Sequence, residues 1–272
     1  MPKKVFKINS KKKGPIVVIM GGVHGDEICG VKVIDFLKKH IKEIDRGTIY
    51  LIYGNPLAIK QEKRFVEMNL NRAFLQENKI DKIKINSYEY KRAKELMPIL
   101  SSANFLLDIH SSKTPNAKPF VICEPHSYKL ISHLPFQIVS SGWDKLEPGS
   151  TDAYVNKNKK YGICIECGYH TDKKTYDLAK KSALIFLNET VILKSMNYKS
   201  ITYPQKIINV YKIYITKTNF KPVRQFLDFE LIKSNELIGF DGKKEIRTKK
   251  ESFIIFCRQR KLPGEEAFLL AK

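Results

Sequence analysis

The sequence lacks long hydrophobic runs, a regular set of cysteines and internal repeats. No apolar stretch approaches the ~20 residues that cross a bilayer, so we expect neither a transmembrane helix nor a membrane partner. The five cysteines are odd in number, which argues against a disulfide framework. The lack of repeats, low-complexity linkers and coiled-coil heptads excludes repeat proteins and long coiled coils. Hydrophobic residues make up 43% of the 272 residues, enough for a sizeable core and too many for a disordered chain.

Two of the cysteines, Cys164 and Cys167, form a CxxC pair inside the segment YGICIECG. This pair alone is weak support for a metal site, because the sequence has no second CxxC. The segment has the apolar composition of a buried strand, and residues three apart on a strand point to opposite faces. We therefore expect both cysteines to be packing residues.

Acidic residues are scarce: 28 Asp and Glu stand against 49 Lys and Arg, for a formal net charge of +21. Such an excess is compatible with binding of nucleic acid or of anionic substrates. Lysine, however, is spread along the whole chain, and the aromatic residues interleaved with arginine that are typical of single-strand binders are missing. The charge therefore indicates a lysine-rich composition, and we do not expect nucleic-acid binding.

The N-terminal segment MPKKVFKINSKKKGP is basic and precedes the short apolar run IVVIM. No small-residue cleavage site follows this run, so it predicts a buried strand and not a signal peptide. We therefore expect a cytoplasmic protein.

Residues 1–199 alternate apolar runs with segments of helical spacing. Helices are predicted over about 26–44, 87–100 and 173–194, and residues 56–86 are predicted to be irregular. The predicted strands are PIVVIMGG, TIYLIYG, NFLLDIH, PFVICE, FQIVSS and YGICIECG. Strands separated by helices predict an α/β fold, with a mainly parallel or mixed sheet and helices on both faces.

The composition changes at about residue 200. From there the chain consists of short β-like runs, with FDGKK as a hairpin signal. The sequence therefore predicts a catalytic domain over 1–199 and a small β-rich domain over 200–272.

Polar residues follow the predicted strands at the points where active sites of open α/β sheets lie. His24 and Glu27 follow PIVVIMGG, and His110 ends NFLLDIH. Two histidines and one carboxylate form a common ligand set of catalytic zinc, which leaves a position open for water. Gly21, Gly22 and Gly25 would leave room for a bound substrate. An HxxE pair alone occurs often by chance, so the prediction rests on the combination.

The sequence leaves alternative roles open for three further carboxylates of these segments. Glu166 lies within the apolar run YGICIECG, where a carboxylate is costly unless it is functional or forms an ion pair with a lysine. Asp108 precedes His110 by two residues and is a candidate to orient it. Asp26 either caps the following helix or orients a ligand.

Five segments occur in an order that resembles the succinylglutamate desuccinylase/aspartoacylase family. They are GGVHGDE, GNPLAIKQEKRFVEMNLNRAF, LLDIHSS, IECG and PGEEAF. The resemblance covers nearly the whole chain and implies a fold related to zinc carboxypeptidases. It also implies one Zn²⁺ per chain, bound by His24, Glu27 and His110, with Glu166 as the general base and acid.

The resemblance assigns three further residues to the substrate. Arg64 matches the arginine that polarises the scissile carbonyl, in keeping with its ability to stabilise negative charge. Asn71 and Arg72 match the pair that binds the substrate carboxylate, for which a planar guanidinium is well suited. The expected function is hydrolysis of an amide bond in a small N-acyl amino acid or similar carboxylate-bearing substrate.

The sequence departs from the aspartoacylase branch where that branch has an Arg and two Tyr in contact with the substrate. Asn156 stands roughly where that Arg would be, Asp152 roughly where the first Tyr would be, and Leu262 near the second Tyr. These changes argue against N-acetylaspartate as the substrate. Candidate replacements are Tyr154, Lys157 and Lys159.

Two other functions stay open. A carboxypeptidase-like peptidase would use the same chemistry, although the small C-terminal β region is expected to exclude long peptides. A non-catalytic zinc-containing binding protein is the third reading, against which Glu166 and Arg64 argue, because structural zinc sites usually have four protein ligands. The sequence does not identify the acyl group or whether the chain forms a homo-oligomer.

Overall fold

Strands and helices alternate along the residues that the computed structural model describes, which are 4–157, 159–190, 192–193 and 201–272. The strands are β1 (Val5–Asn9), β2 (Ile16–Gly21), β3 (Thr48–Tyr53), β4 (Phe105–Ser112), β5 (Phe120–Ile122), β6 (Ile138–Ser141), β7 (Tyr161–Tyr169), β8 (Lys206–Ile215), β9 (Phe220–Pro222), β10 (Glu230–Ile232), β11 (Leu237–Asp241), β12 (Lys244–Arg247), β13 (Ser252–Ile255) and β14 (Glu266–Ala271). The α-helices are α1 (Ile28–His40), α2 (Pro56–Lys60), α3 (Tyr88–Ser102), α4 (Tyr128–Ile131), α5 (Trp143–Leu146), α6 (Thr151–Asn156) and α7 (Lys173–Glu189).

Within the described residues, one mixed sheet contains eleven strands in the order β1-β3-β2-β4-β7-β5-β6-β8-β14-β13-β10. Its central strands β3, β2, β4 and β7 are parallel to one another. β1 is antiparallel at one edge, and β5 runs antiparallel to β7. Strands β12, β11 and β9 form a separate sheet. The predicted mixed α/β sheet is thus confirmed.

The central strands are buried on both faces, which explains their continuous apolar sequence. In β2, Val17 and Ile19 pack in one cluster with residues of α1 and α7. Val18 and Met20 pack in a second cluster, with residues of α3. The alternation follows the two-residue period of a strand and confirms the prediction of helices on both faces.

Glycines fix the loop after β2 by allowing close packing of the backbone. A Cβ atom on Gly21 would lie 2.4 Å from the backbone of Gly30 in α1, and one on Gly25 would lie 2.1 Å from that of Ala58 in α2. We expected these glycines to leave room for a substrate, but the structure gives them a packing role instead. They hold the loop against two helices.

The predicted helices are present with different ends. α1 begins at Ile28 and ends at His40, shorter than the predicted 26–44. Asp26 does not cap it and forms an ion pair with Lys113 at 2.6 Å. Ser87 caps α3 as predicted, since its Oγ accepts a hydrogen bond from the Tyr90 amide at 3.2 Å. α7 covers 173–189, whereas the predicted end at 194 lies outside the described residues.

The C-terminal part is rich in strands, as predicted. β8 pairs in parallel with β6, so the C-terminal strands β8, β14, β13 and β10 continue the main sheet. β11 and β12 form the hairpin at FDGKK. The division between domains at 199/200 stays a prediction. None of the described helices has the length and apolarity needed to cross a membrane.

Candidate active site

Three predicted metal ligands converge at the C-terminal ends of β2 and β4. His24 lies in the loop after β2, Glu27 directly precedes α1, and His110 lies in β4. His24 Nδ1 is 2.7 Å from Glu27 Oε1, and His110 Nδ1 is 2.8 Å from Glu27 Oε2. All three residues are buried, and one ligand atom of each lies within 4.8 Å of the others. They form a group that could bind a metal ion.

The outer nitrogens of both histidines contact other residues. His24 Nε2 lies 2.9 Å from Asn69 Oδ1, and His110 Nε2 lies 3.0 Å from Asp108 Oδ2. Asp108 Oδ2 also accepts a hydrogen bond from Thr151 Oγ1 at 2.6 Å. A ring proton on the Nε2 atom of each histidine, facing these oxygens, would leave each Nδ1 lone pair available to a cation. Asp108 therefore lies where an orienting carboxylate is expected, and Asn69 is a partner that the sequence analysis missed.

The charges of the group fit a divalent metal. Burial opposes ionisation of Glu27, but His24 and His110 hold its pKa well below the ordinary value. Burial also disfavours the charged form of His110, yet Asp108 and other neighbours raise its pKa well above the usual range. The Nδ1 atoms of His24 and His110 each face one oxygen of Glu27. Each Nδ1 must therefore share a proton with that oxygen, or both histidines and Glu27 must bind the same cation. Two imidazoles and a carboxylate are a frequent donor set of catalytic zinc.

Glu166 lies beside this group because β4 and β7 are parallel neighbours. His110 and Glu166 are paired in register, so the two residues lie side by side. Burial and the nearby Glu27 raise the pKa of Glu166 to about 8. Among the described residues, no lysine or arginine nitrogen forms an ion pair with Glu166 within 4.0 Å. The alternative that Glu166 is a simple ion-pair partner is therefore not supported.

Arg64 and Asn71 line the same pocket. Arg64 Nη1 donates to Glu27 Oε1 at 3.2 Å, and its side chain is 41% exposed. Asn71 Oδ1 accepts a hydrogen bond from the Thr151 amide at 3.1 Å. The structure thus brings all seven predicted site residues to one pocket, namely His24, Glu27, Arg64, Asn71, Arg72, His110 and Glu166.

Arg72 already contacts two carboxylates. Its Nε and Nη2 atoms donate to the two oxygens of Glu266, each at 2.7 Å. Nη2 also donates to Glu147 Oε1 at 2.5 Å, and Nη1 to the carbonyl of Asn71 at 2.9 Å. Since guanidinium has five N–H groups, one N–H of Nη1 remains. The charge of Arg72 is therefore largely balanced within the protein.

A sequence model of the Succinylglutamate desuccinylase/Aspartoacylase catalytic domain matches residues 13–186, more than half of the chain. This range includes every predicted site residue. The chain belongs to the succinylglutamate desuccinylase/aspartoacylase family.

Relatives within the family are distant. A probable aspartoacylase of Acaryochloris marina is 29% identical over 163 residues, which cover 56% of this chain and 54% of the relative. A succinylglutamate desuccinylase of Pseudoalteromonas atlantica is 32% identical over 148 residues, or 47% of this chain and 41% of the relative. The chain thus matches about half the length of these curated relatives, or less.

Solved structures of the family share the fold. The X-ray structure of succinylglutamate desuccinalase from Vibrio parahaemolyticus superposes with a TM-score of 0.78 at 18% identity, over 98% of this chain and 85% of that chain. A product-bound structure of the ectoine utilization protein EutE (DoeB) from Ruegeria pomeroyi gives a TM-score of 0.73 over 98% and 88%. Both likenesses extend through the C-terminal strands.

The positions that differ from the aspartoacylase branch of the family are not among the described residues that line the pocket. Asp152 accepts a hydrogen bond from Ser150 Oγ, and Asn156 Oδ1 accepts one from the Gly162 amide at 2.7 Å. Leu262 is 63% exposed. The suggested replacements also lie outside the lining: Tyr154, Lys157 and Lys159.

Sequence reasoning missed the side of the pocket that the C-terminal strands supply. Phe256, Arg258 and Arg260, from the segment between β13 and β14, line the pocket together with Phe268 of β14. Their distance in sequence from the metal ligands hid them. The available signal was the triplet RQR shortly before PGEEAF, the family segment that contains Glu266.

Proposed function

We propose that the protein is a zinc-dependent deacylase that hydrolyses the amide bond of a small N-acyl amino acid or a similar carboxylate-bearing substrate. The observation that supports this most directly is the buried group of His24, Glu27 and His110, which shares a pocket with Glu166. Family membership agrees with it. So do relatives named N-acyl-aromatic-L-amino acid amidohydrolase, one of them 31% identical over 121 residues.

In this proposal Glu166 moves the protons. Zn²⁺ held by His24, Glu27 and His110 would supply a Lewis acid that makes water more acidic and polarises a carbonyl oxygen. Glu166 takes a proton from the attacking water and passes it to the leaving amine. Burial raises the pKa of Glu166, which helps this carboxyl to keep the proton until it passes it to the leaving amine.

Arg64 is proposed to stabilise the oxygen of the scissile carbonyl as it becomes negative. Its contact with Glu27 holds the guanidinium at the metal group, and its partial exposure leaves N–H groups free towards the pocket. Charged donors aimed at a developing oxyanion are among the largest contributions to catalysis.

Asn71 and Arg72 are proposed to bind the substrate carboxylate. The Asn71 side-chain amide keeps its N–H groups when its oxygen accepts from Thr151. Arg72 offers the one remaining N–H of Nη1. The Asn71 amide is a neutral donor, and the charge of Arg72 is already largely balanced by Glu147 and Glu266. The two residues therefore orient a carboxylate more than they neutralise its charge.

The test is a Glu166→Gln variant assayed with a panel of N-acyl amino acids, with zinc and with a chelator. Loss of the base is expected to lower kcat by about 10²- to 10⁴-fold. Glu245→Gln, on the exposed β12 hairpin, is the matched control and should keep wild-type activity. A wild-type protein that releases no amine in a zinc-dependent manner, from any member of the panel, would refute the proposal.

A carboxypeptidase-like peptidase is the alternative that the pocket disfavours. Phe256, Arg258 and Phe268 bound the site from the C-terminal side, where a long peptide would need space. Incubation with peptides of two to eight residues separates the two functions. Release of C-terminal amino acids from the longer peptides would favour the peptidase.

We further propose a cytoplasmic location. All five cysteines are free thiols, and four of them are buried, which agrees with a reducing compartment. Assembly into a homo-oligomer stays open, and light scattering after size-exclusion chromatography would establish it.

A further inference from the structure

A buried glutamate of α3 is bonded to three consecutive backbone amides. Glu89 is fully buried and lies in the first turn of the helix. Its Oε1 atom accepts a hydrogen bond from the Val66 amide at 2.7 Å, and its Oε2 atom accepts from the amides of Glu67 and Met68 at 3.1 and 3.2 Å. Hydrogen bonds to an ionised carboxylate are roughly twice as strong as those between neutral groups. The Glu89 side chain therefore fixes the backbone of residues 66–68.

These three amides belong to residues 61–69, which form neither a helix nor a strand. Two residues of this segment face the metal group. The Arg64 carbonyl accepts a hydrogen bond from the Gly25 amide at 3.2 Å, and Asn69 Oδ1 lies 2.9 Å from His24 Nε2. Three of the four residues between these two points donate their amides to the same carboxylate. A segment without secondary structure is thus held at the site by a residue outside the pocket.

Glu89 also joins this segment to a second loop of the site. Asn55 Nδ2 donates to Glu89 Oε1 at 3.0 Å, and the Asn55 amide donates to the Gly22 carbonyl, in the loop after β2, at 2.8 Å. In the opposite direction, the Glu67 carboxylate accepts a hydrogen bond from the Tyr88 amide at the start of α3. The helix and the two loops are therefore fixed to one another through the Glu89 carboxylate.

We propose that Glu89 is a positioning residue for the reaction and acts through the Arg64 guanidinium. The inference rests on the proposed deacylase function, in which Arg64 stabilises the oxygen of the scissile carbonyl. The Arg64 side chain is 41% exposed and contacts Glu27 at 3.2 Å, so its direction depends on where its backbone lies. A shift of about 1 Å at a catalytic group can cost 10²-fold in rate. Glu89 prevents such a shift without contacting the substrate.

The first test is Glu89→Gln, which places an NH₂ group where a carboxylate oxygen accepted backbone amides. With the N-acyl amino acid that wild-type protein cleaves fastest, kcat should fall about 10- to 100-fold. KM should change little, because Asn71 and Arg72 have anchors of their own in Thr151 and Glu266. A loss confined to kcat is the mark of an interaction made in the transition state. An unchanged kcat, or a rise in KM alone, would overturn the inference.

A double-mutant cycle separates positioning from a general loss of stability. In Arg64→Ala protein, Glu89→Gln should lower kcat by no more than about twofold, since the group that it positions is gone. Equal losses with and without the Arg64 side chain would contradict the role. Glu95→Gln is the matched control, because Glu95 lies on the same helix with its side chain 64% exposed, and it should keep the wild-type kcat and KM.

Hydrogen exchange tests the same idea without turnover. Amides of residues 62–72 should exchange faster in Glu89→Gln than in wild type or Glu95→Gln, whereas those of β2 and β4 should keep their rates. Unchanged exchange in this segment, or faster exchange throughout the chain, would reject the positioning role. If Glu89→Gln does not fold, Glu89→Asp, which keeps the charge with a shorter reach, gives the same comparison. A wild-type protein without amidase activity would refute the deacylase function, and the exchange rates would still decide whether Glu89 holds the segment.

Discussion

Asp108→Asn is expected to weaken zinc binding without removing a ligand. Asp108 is fully buried, and its Oδ2 atom lies 3.0 Å from His110 Nε2 and 2.6 Å from Thr151 Oγ1. Asparagine keeps the size and the acceptor for Thr151 but removes the negative charge beside the imidazole. Removing a carboxylate that orients a ligating histidine typically costs 10- to 100-fold in metal affinity, which corresponds to about 1.4–2.8 kcal/mol.

The assay is a competition titration in which a chromogenic chelator of known affinity and the protein share Zn²⁺. Asp241→Asn is the matched control, because Asp241 accepts hydrogen bonds from Lys217, Thr218 and Tyr214 far from the metal group. That variant should lose stability and keep zinc affinity. An Asp108→Asn protein that binds zinc as tightly as wild type would refute the role assigned to the Asp108–His110 contact.

Two further predictions concern stability. Burial, followed by repulsion from Asp152 and Glu124, raises the pKa of Asp144 to about 7 from 3.8. The folded state is therefore penalised as Asp144 ionises. Asp144→Asn should stabilise the protein above pH 7, on the order of 2 kcal/mol, and the gain should vanish towards pH 4. Urea unfolding at pH 5 and pH 8 measures this, and an equal gain at both would contradict it. Gly21→Ala places a Cβ 2.4 Å from the Gly30 backbone, so the urea midpoint should fall by the equivalent of roughly 2–3 kcal/mol, and an unchanged midpoint would reject the packing role.

Much of the fold was predictable because its central strands are buried on both faces. Runs such as that around Val17 are continuously apolar, and the long helices have a clear period. The short helices α4, α5 and α6 were missed because four to six residues are too few to show a helical period. The ends of α1 depended on tertiary contacts, since Glu27 turns towards His24 and His110 instead of entering the helix.

The metal group was predictable because its residues follow strands that lie side by side in the sheet. The surroundings of Arg72 were not predictable, because its partner Glu266 is 194 residues away in the sequence and lies in β14, which pairs with β8 and β13 of the main sheet. Arg258 was hidden for the same reason. Pocket-lining residues supplied by a distant segment leave only a weak local signal, such as the triplet RQR, whereas ligands at strand ends leave a clear one.

The central claim is that His24, Glu27 and His110 hold the zinc that the reaction requires. Protein stripped with a chelator should release no amine from the N-acyl amino acids of the panel. Activity should then rise in proportion to added Zn²⁺ and level off at about one equivalent per chain, the number implied by a single two-histidine, one-carboxylate group. Hydrolysis that persists in the stripped protein, or that no amount of zinc restores, would contradict the account.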